Sequence, residues 1–208
     1  KLLIYVPTYN RVEKALSQLE TLNAQVTSRT DVRVVVSDNG STRGAPDSIR
    51  RWCEERSQFE YRENPSNVGA EANFLLAFCL AEKDEHVWIL ADDTPVAPSA
   101  VSYLLNGISQ GRDLVAMAPS EQTDKPDTYT WSTDGIGRAM ANFQWGLISS
   151  AVYNMSVFSG AVIQGFKLHN SSFAHLAVLF GALEQRGSLS VTWLEMEKLH
   201  GDNSIDPA

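Results

Sequence analysis

Short apolar runs alternate with amphipathic stretches along the first 118 positions. Residues 2–6, 32–36, 87–91 and 114–117 are apolar runs, the composition of strands buried on both faces, and 59–62 reads as a shorter strand. Between them, Val12, Ala15, Leu16, Leu19, Leu22 and Val26 recur at helical spacing and predict a helix over 11–27. Further helices are expected over 47–56, 70–81 and 98–109. The resulting β-α-β-α-β-α-β-α-β order predicts an α/β fold, with a mainly parallel sheet, right-handed crossovers and helices on both faces. Pro7 and Pro95 are expected to stop the first and fourth strands, because proline cannot donate to a ladder.

In such a sheet the loops at the carboxyl ends of the strands gather on one rim, where ligands bind. Four polar loops would meet there: Pro7-Thr8-Tyr9-Asn10, Ser37-Asp38-Asn39-Gly40-Ser41, Asn64-Pro65-Ser66-Asn67-Val68-Gly69 and Asp92-Asp93-Thr94. Adjacent carboxylates are costly unless a cation or hydrogen-bond donors neutralise them. A hard divalent ion, Mg²⁺ or Mn²⁺, carrying a phosphorylated ligand would do so. The plainer alternative for Asp92 and Asp93 is an acidic turn that caps the next helix. For Asp38 it is an Asx-turn before Gly40. Neither Gly-x-Gly-x-x-Gly nor a Walker A sequence is present, which argues against a dinucleotide oxidoreductase and a P-loop NTPase.

Composition narrows the field further. The 208 residues suit one domain with a sizeable core, and the formal charge of −8 argues against nucleic acid as partner. No apolar run is long enough to cross a bilayer, and no signal peptide is expected. Cys53 and Cys79 have no metal-ligand spacing, as expected of thiols in a reducing cytoplasm. The chain starts inside a strand without Met, so we expect a piece trimmed at one or both ends.

The four loops together resemble the family 2 glycosyltransferases, inverting nucleotide-sugar enzymes of the GT-A fold. Ile4-Tyr5-Val6-Pro7-Thr8-Tyr9-Asn10-Arg11 is similar to that family's opening strand and loop, and Val35-Val36-Ser37-Asp38-Asn39-Gly40-Ser41-Thr42 to its second signature. Asn64-Pro65-Ser66-Asn67-Val68-Gly69-Ala70 resembles its Asn-x-Gly segment, and Trp88-Ile89-Leu90-Ala91-Asp92-Asp93 the strand bearing its metal-binding acids. The resemblance implies a three-layer αβα sandwich, Rossmann-like, forming a single domain over 1–208. Residues 1–118 would bind the donor and 119–208 the acceptor. Pro7, Thr8 and Tyr9 would line the nucleotide base, Asp38 would hydrogen-bond it, and Asn67 would lie beside the nucleoside. Asp92 would face the ribose or diphosphate. Asp93 would hold the Mn²⁺ or Mg²⁺ that stabilises the departing diphosphate. Many members carry another acid after the pair; here the position is Thr94.

The second half is less regular. A loop over the site is expected at 119–129, an edge strand at 128–131 and a helix at 133–143. By the family resemblance a returning strand is expected at 146–150 and a short helix at 151–158; a helix is expected at 171–186 and a last strand at 189–194. Inverting transfer needs a base for the acceptor hydroxyl. Where many family members have an acidic pair, this chain has Phe173-Ala174-His175-Leu176, similar to the Phe-x-His segment of abequosyltransferase-like O-antigen and capsule enzymes. His175 is the candidate base, against a histidine that merely caps or packs. By the same resemblance His200 is a candidate metal ligand.

The implied activity is metal-dependent, inverting transfer of a sugar from a nucleoside diphosphate to a saccharide or lipid-linked saccharide. That places the protein in the cytoplasm, at the inner face of a membrane it touches peripherally. A nucleotidyltransferase is disfavoured, since residues 2–11 contain no glycine. A non-catalytic nucleotide-sugar binding module stays open because the usual acid is missing near position 175.

Overall fold

A computed structural model describes residues 1–119, 128–132 and 148–200 of the chain, with the backbone alone at 128–131. Its centre is an eight-stranded sheet. The strands are β1 (Leu2–Thr8), β2 (Val32–Asp38), β3 (Phe59–Glu63), β4 (His86–Ile89), β5 (Leu114–Ala118), β6 (Thr128–Ser132), β7 (Ala151–Asn154) and β8 (Ser188–Glu195). They lie in the order β3-β2-β1-β4-β7-β5-β8-β6. Pairing is parallel from β3 to β4 and between β5 and β8; β7 and β6 run antiparallel to their neighbours.

The first half follows the expected alternation closely. Helices α1 (Val12–Val26), α2 (Asp47–Glu54), α3 (Ala70–Leu80) and α4 (Ala100–Ser109) fall between the first five strands. β4 and β5, consecutive along this alternation, are not neighbours in the sheet. β7 slots between them, and its two central residues, Val152 and Tyr153, have partners on both sides. The short helix α5 (Met155–Phe158) follows, then α6 (Val162–Lys167) and α7 (Ala174–Arg186). β6 is the edge strand expected at 128–131. The loop expected at 119–129 and the helix at 133–143 fall mostly outside the described residues.

Alternate side chains of the strands feed two separate cores. Leu3, Tyr5, Val87 and Ile89 pack under α3, α5 and α7, whereas Leu2, Ile4, Val6 and Trp88 pack under α1, α2 and α4. This period of two, buried on both faces, accounts for the unbroken apolar strands of the sequence.

Pro7 does not end β1, and the reason is geometric. Tyr5 turns its carbonyl toward β4, where it accepts from Leu90 N at 2.9 Å. Pro7, two residues on, has the same orientation, and β4 has ended at Ile89. Thr8 faces the other way and accepts from Asn39 N at 2.9 Å. The missing donor of Pro7 therefore faces no ladder partner. β4 in turn stops well before Pro95, because Ser149 captures its end: Trp88 Nε1 donates to the Ser149 carbonyl at 2.8 Å and Ala91 N donates to its hydroxyl at 3.1 Å.

At the opposite end of the sheet, Glu85 is buried and accepts a fork from Arg33 at 2.7 and 2.8 Å, plus Glu82 N at 2.7 Å. Burial opposes the charge, but these donors override it and hold the carboxyl below its ordinary value. A carboxylate held low stabilises the fold at higher pH, and that contribution fades as pH falls below 4.5. Arg33→Met, which orphans the buried acid, should lower the unfolding free energy by about 3 kcal/mol at neutral pH. Urea titration at pH 7 and at pH 4 checks this: the deficit should shrink at the lower pH.

Candidate active site

A cleft of about 470 Å³ opens at the carboxyl ends of β1 and β4, within the usual size of a ligand site. Its lining includes Pro7, Thr8 and Tyr9 from the end of β1, and Arg11 at the start of α1. Asn39 and Asn67 come from the next two loops, Asn73 and Phe74 from α3, and Asp92 and Asp93 from the loop after β4. The loops that the sequence placed on one rim do share it.

The two acids differ in their settings. Asp92 is buried and accepts from the Thr8 hydroxyl at 2.7 Å and from Arg11 Nη1 at 3.0 Å. Asp93 is half-exposed, and its Oδ2 accepts from the same Arg11 nitrogen at 2.8 Å, with Lys14 Nζ at 3.5 Å. Its Oδ1 has no protein partner among the described residues. The counter-charge that the acid pair demands is thus supplied by α1: Arg11 and Lys14, three positions apart, share one helix face.

The middle loops are joined by asparagines. Asn39 donates to Asn67 Oδ1 at 2.9 Å and accepts from Asn64 Nδ2 and Val68 N, each at 3.0 Å. Asn73, buried at 2% exposure, accepts from Ser37 Oγ at 2.6 Å, Asn64 Nδ2 at 3.1 Å and the Tyr5 hydroxyl at 3.2 Å. Gly40 completes the join. Its φ is +73°, and an added Cβ would lie 2.8 Å from the Ser66 backbone, so the two loops touch where only glycine fits.

Asp38 is fully buried. Its Oδ1 accepts from Ser41 N at 2.8 Å and its Oδ2 from the Tyr61 hydroxyl at 2.9 Å. Burial, then the bond to Asp38, push the Tyr61 phenol up from its ordinary pKa. The Asx-type bond weighed for Asp38 is therefore present, and the neighbouring Asn39, not Asp38, lines the cleft.

His175 lies in the first turn of α7 at 4% exposure, with its ring 6.4 Å from that of Phe173, and does not line the cleft. An acid nevertheless meets that helix start. Glu71, in the first turn of α3 beside the cleft residue Ala70, accepts from Ala174 N at 2.6 Å. His200 follows Leu199, whose carbonyl accepts from Ala97 N at 2.9 Å in the segment after Asp93. Its Nε2 is buried without a partner among the described residues, burial lowers its pKa toward the neutral imidazole, and it does not line the cleft.

The donor set suits a small hard cation: carboxylate oxygen at the cleft mouth, with one Asp93 oxygen unused. It is sparse, however, since no group of three acid, histidine or cysteine side chains comes together among the described residues. An ion held here would need phosphate oxygens and water to complete its shell.

These features agree with the comparisons to known proteins. The model for the family "Glycosyl transferase family 2" matches residues 3–179. The chain belongs to this family. It is similar to abequosyltransferase RfbV of Salmonella typhimurium (strain LT2), being 32% identical over 113 residues, which cover 52% of this chain and 33% of that protein. Among solved structures it is similar to S. aureus TarS 1–349 in complex with UDP, with a TM-score of 0.73 and 16% identity over 96% of this chain and 59% of that one. The complex of the same protein with UDP-GlcNAc gives a TM-score of 0.72 at 15% identity, covering 100% and 60%. The chain thus spans about a third of the curated relative and about three-fifths of the TarS chain. At these identities the structural likeness shows the fold, the GT-A architecture of glycosyltransferases.

Reading the sequence alone missed Arg11, Lys14, Asn39, Asn73 and Glu71. Arg11 had a signal, as the basic residue next to a loop facing two acids. Asn73 had none, because an asparagine within an apolar helix shows its role only once its partners are placed. Asn73→Leu, which strands these donors, should cost about 2–3 kcal/mol of stability by urea titration. A loss under about 0.5 kcal/mol would mean that the asparagine network does not hold the rim.

Proposed function

We propose that this chain is the catalytic part of an inverting glycosyltransferase, using a nucleoside diphosphate sugar and a divalent ion, Mg²⁺ or Mn²⁺. The acceptor would be a hydroxyl on a saccharide or lipid-linked saccharide of a surface polysaccharide such as O-antigen or capsule. One observation carries the reading: a cleft of nucleotide size has Asp93 half-exposed at its mouth, beside the tips of β1 and the asparagine-bonded loops. The name of the curated relative, an abequosyltransferase, and the UDP and UDP-GlcNAc in the titles of the TarS structures support the same class of donor.

In this reading Tyr9 and the Pro7-Thr8 backbone take the base, with Asn67 beside the nucleoside. Asp38, through Ser41 and Tyr61, fixes the loop that presents Asn39, and is the group that the family resemblance assigns to the base. Asp92 stays locked on Thr8 and orients the ribose or diphosphate. Asp93 would hold the ion, with His200 as the further ligand. Once bound, the ion supplies Lewis-acid stabilisation of the departing diphosphate. The acceptor proton would be taken where α3 meets α7, the place of His175 and Glu71. Because His175 is buried, Glu71 is the better placed of the two to reach an acceptor.

No helix among the described residues is long and apolar enough to cross a membrane. We place the protein at the cytoplasmic face of a membrane, where a lipid-linked acceptor would be presented.

The buried His175 favours a second reading, a module that binds the donor without turnover. Isothermal titration and hydrolysis assays with a panel of nucleoside diphosphate sugars, with and without Mn²⁺, separate the two. We expect Mn²⁺-dependent binding that Asp93→Asn weakens tenfold or more, a loss of about 1.4 kcal/mol. Glu71→Gln or His175→Ala should slow turnover while leaving binding intact. Binding with no hydrolysis under any condition would support the module. Unchanged binding by Asp93→Asn would reject the ion site.

A further inference from the structure

We propose that Arg11 is an exchangeable cation. Before the donor arrives it neutralises Asp92 and Asp93, and it moves onto the diphosphate when a divalent ion takes its place at Asp93. The inference rests on the proposed donor site and adds an order of assembly to it: the ion and the diphosphate bind together, and the ion alone binds poorly.

The contacts support exchange over a fixed structural pair. Arg11 touches both acids through one nitrogen, Nη1, at 3.0 and 2.8 Å. Among the described residues its Nη2 and Nε have no partner, so the fork that suits a carboxylate or a phosphate is only half engaged. Half of the side chain is exposed, and it lines the cleft. Asp92, by contrast, is 5% exposed and is also tied to the Thr8 hydroxyl at 2.7 Å. Between the partners of this pair, Arg11 is the one free to move and Asp92 the one held.

The charges fix the direction of movement. Asp92 and Asp93 bring two negative charges, and Arg11 and Lys14 bring two positive ones. A divalent ion at Asp93 with Arg11 still in contact would crowd three cationic centres around two acids. A diphosphate relieves this by offering Arg11 a bidentate acceptor a short swing away, at the start of α1. Ion and diphosphate should therefore favour each other's binding, and this coupling is reciprocal.

The test uses Mn²⁺ alone, pyrophosphate alone and both together, measured by isothermal titration on the wild-type chain, Arg11→Gln and Arg11→Lys. Pyrophosphate supplies the diphosphate without requiring the nucleotide to be known. For wild type we expect weak Mn²⁺ binding that pyrophosphate strengthens. Arg11→Gln should bind Mn²⁺ alone about tenfold more tightly and lose most of the mutual enhancement, a coupling of ordinary size. Arg11→Lys keeps the charge without the fork and should keep only part of the enhancement, while tighter Mn²⁺ binding by Arg11→Gln is itself the sign of an intact fold. The proposal is overturned if Arg11→Gln binds Mn²⁺ no more tightly than wild type, or keeps the full enhancement. Wild type showing no Mn²⁺-dependent binding of pyrophosphate would instead reject the donor site on which the proposal rests.

Discussion

Two carboxylates on adjacent residues at the end of a buried strand need positive charge close by, and the rest of the rim is arranged around that need. Asp92 and Asp93 leave β4 just where β1 ends beside it, so Thr8 and Arg11 reach them directly. Helix α1 starts at Val12, which puts Arg11 and Lys14 on the turn nearest the acids. The same acids, destabilising in isolation, are neutralised by side chains; under the proposed exchange those side chains would yield to a cation carrying an anionic ligand.

That arrangement holds only if the surrounding loops keep their places. The asparagines, with Gly40 against the Ser66 backbone, join the β2 and β3 loops to the start of α3. Ser149 does the same for the end of β4, from a segment that precedes the antiparallel strand β7. The insertion of β7 between β4 and β5 thus serves the site as well as the sheet. It brings a hydroxyl to the point where the backbone of β4 turns away and the acids begin.

Much of this was legible in the sequence, for reasons that can be named. The strands and helices of the first half are buried on both faces or amphipathic, so their periodicity is strong. The rim loops each carry breakers, and the family resemblance ordered them. Pro7 misled because a rule about ladder donors depends on which neighbour the residue faces, and that is a matter of register. A returning strand was expected over 146–150, but it forms at Ala151–Asn154, where a helix was expected, and its position between β4 and β5 is set by pairing at long range. Asp38 and Asn39 are adjacent and both polar; which of them faces the cleft was decided by Tyr61, a partner on β3. Glu71 was hidden within a helix whose pattern reads as packing, and it gained meaning only when α7 was seen to begin against it.

In the proposed function a divalent ion and a nucleoside diphosphate meet at Asp93, beside the tips of β1 and the Asn39 and Asn67 loops. A crystal grown with Mn²⁺ and a nucleoside diphosphate, with data collected at the manganese edge, measures this directly. One anomalous peak is expected at coordination distance from an Asp93 oxygen, about 2.1 Å for a small hard cation, bridged to the diphosphate. A diphosphate bound elsewhere, or manganese lying away from Asp93 with Arg11 still on both acids, would contradict it.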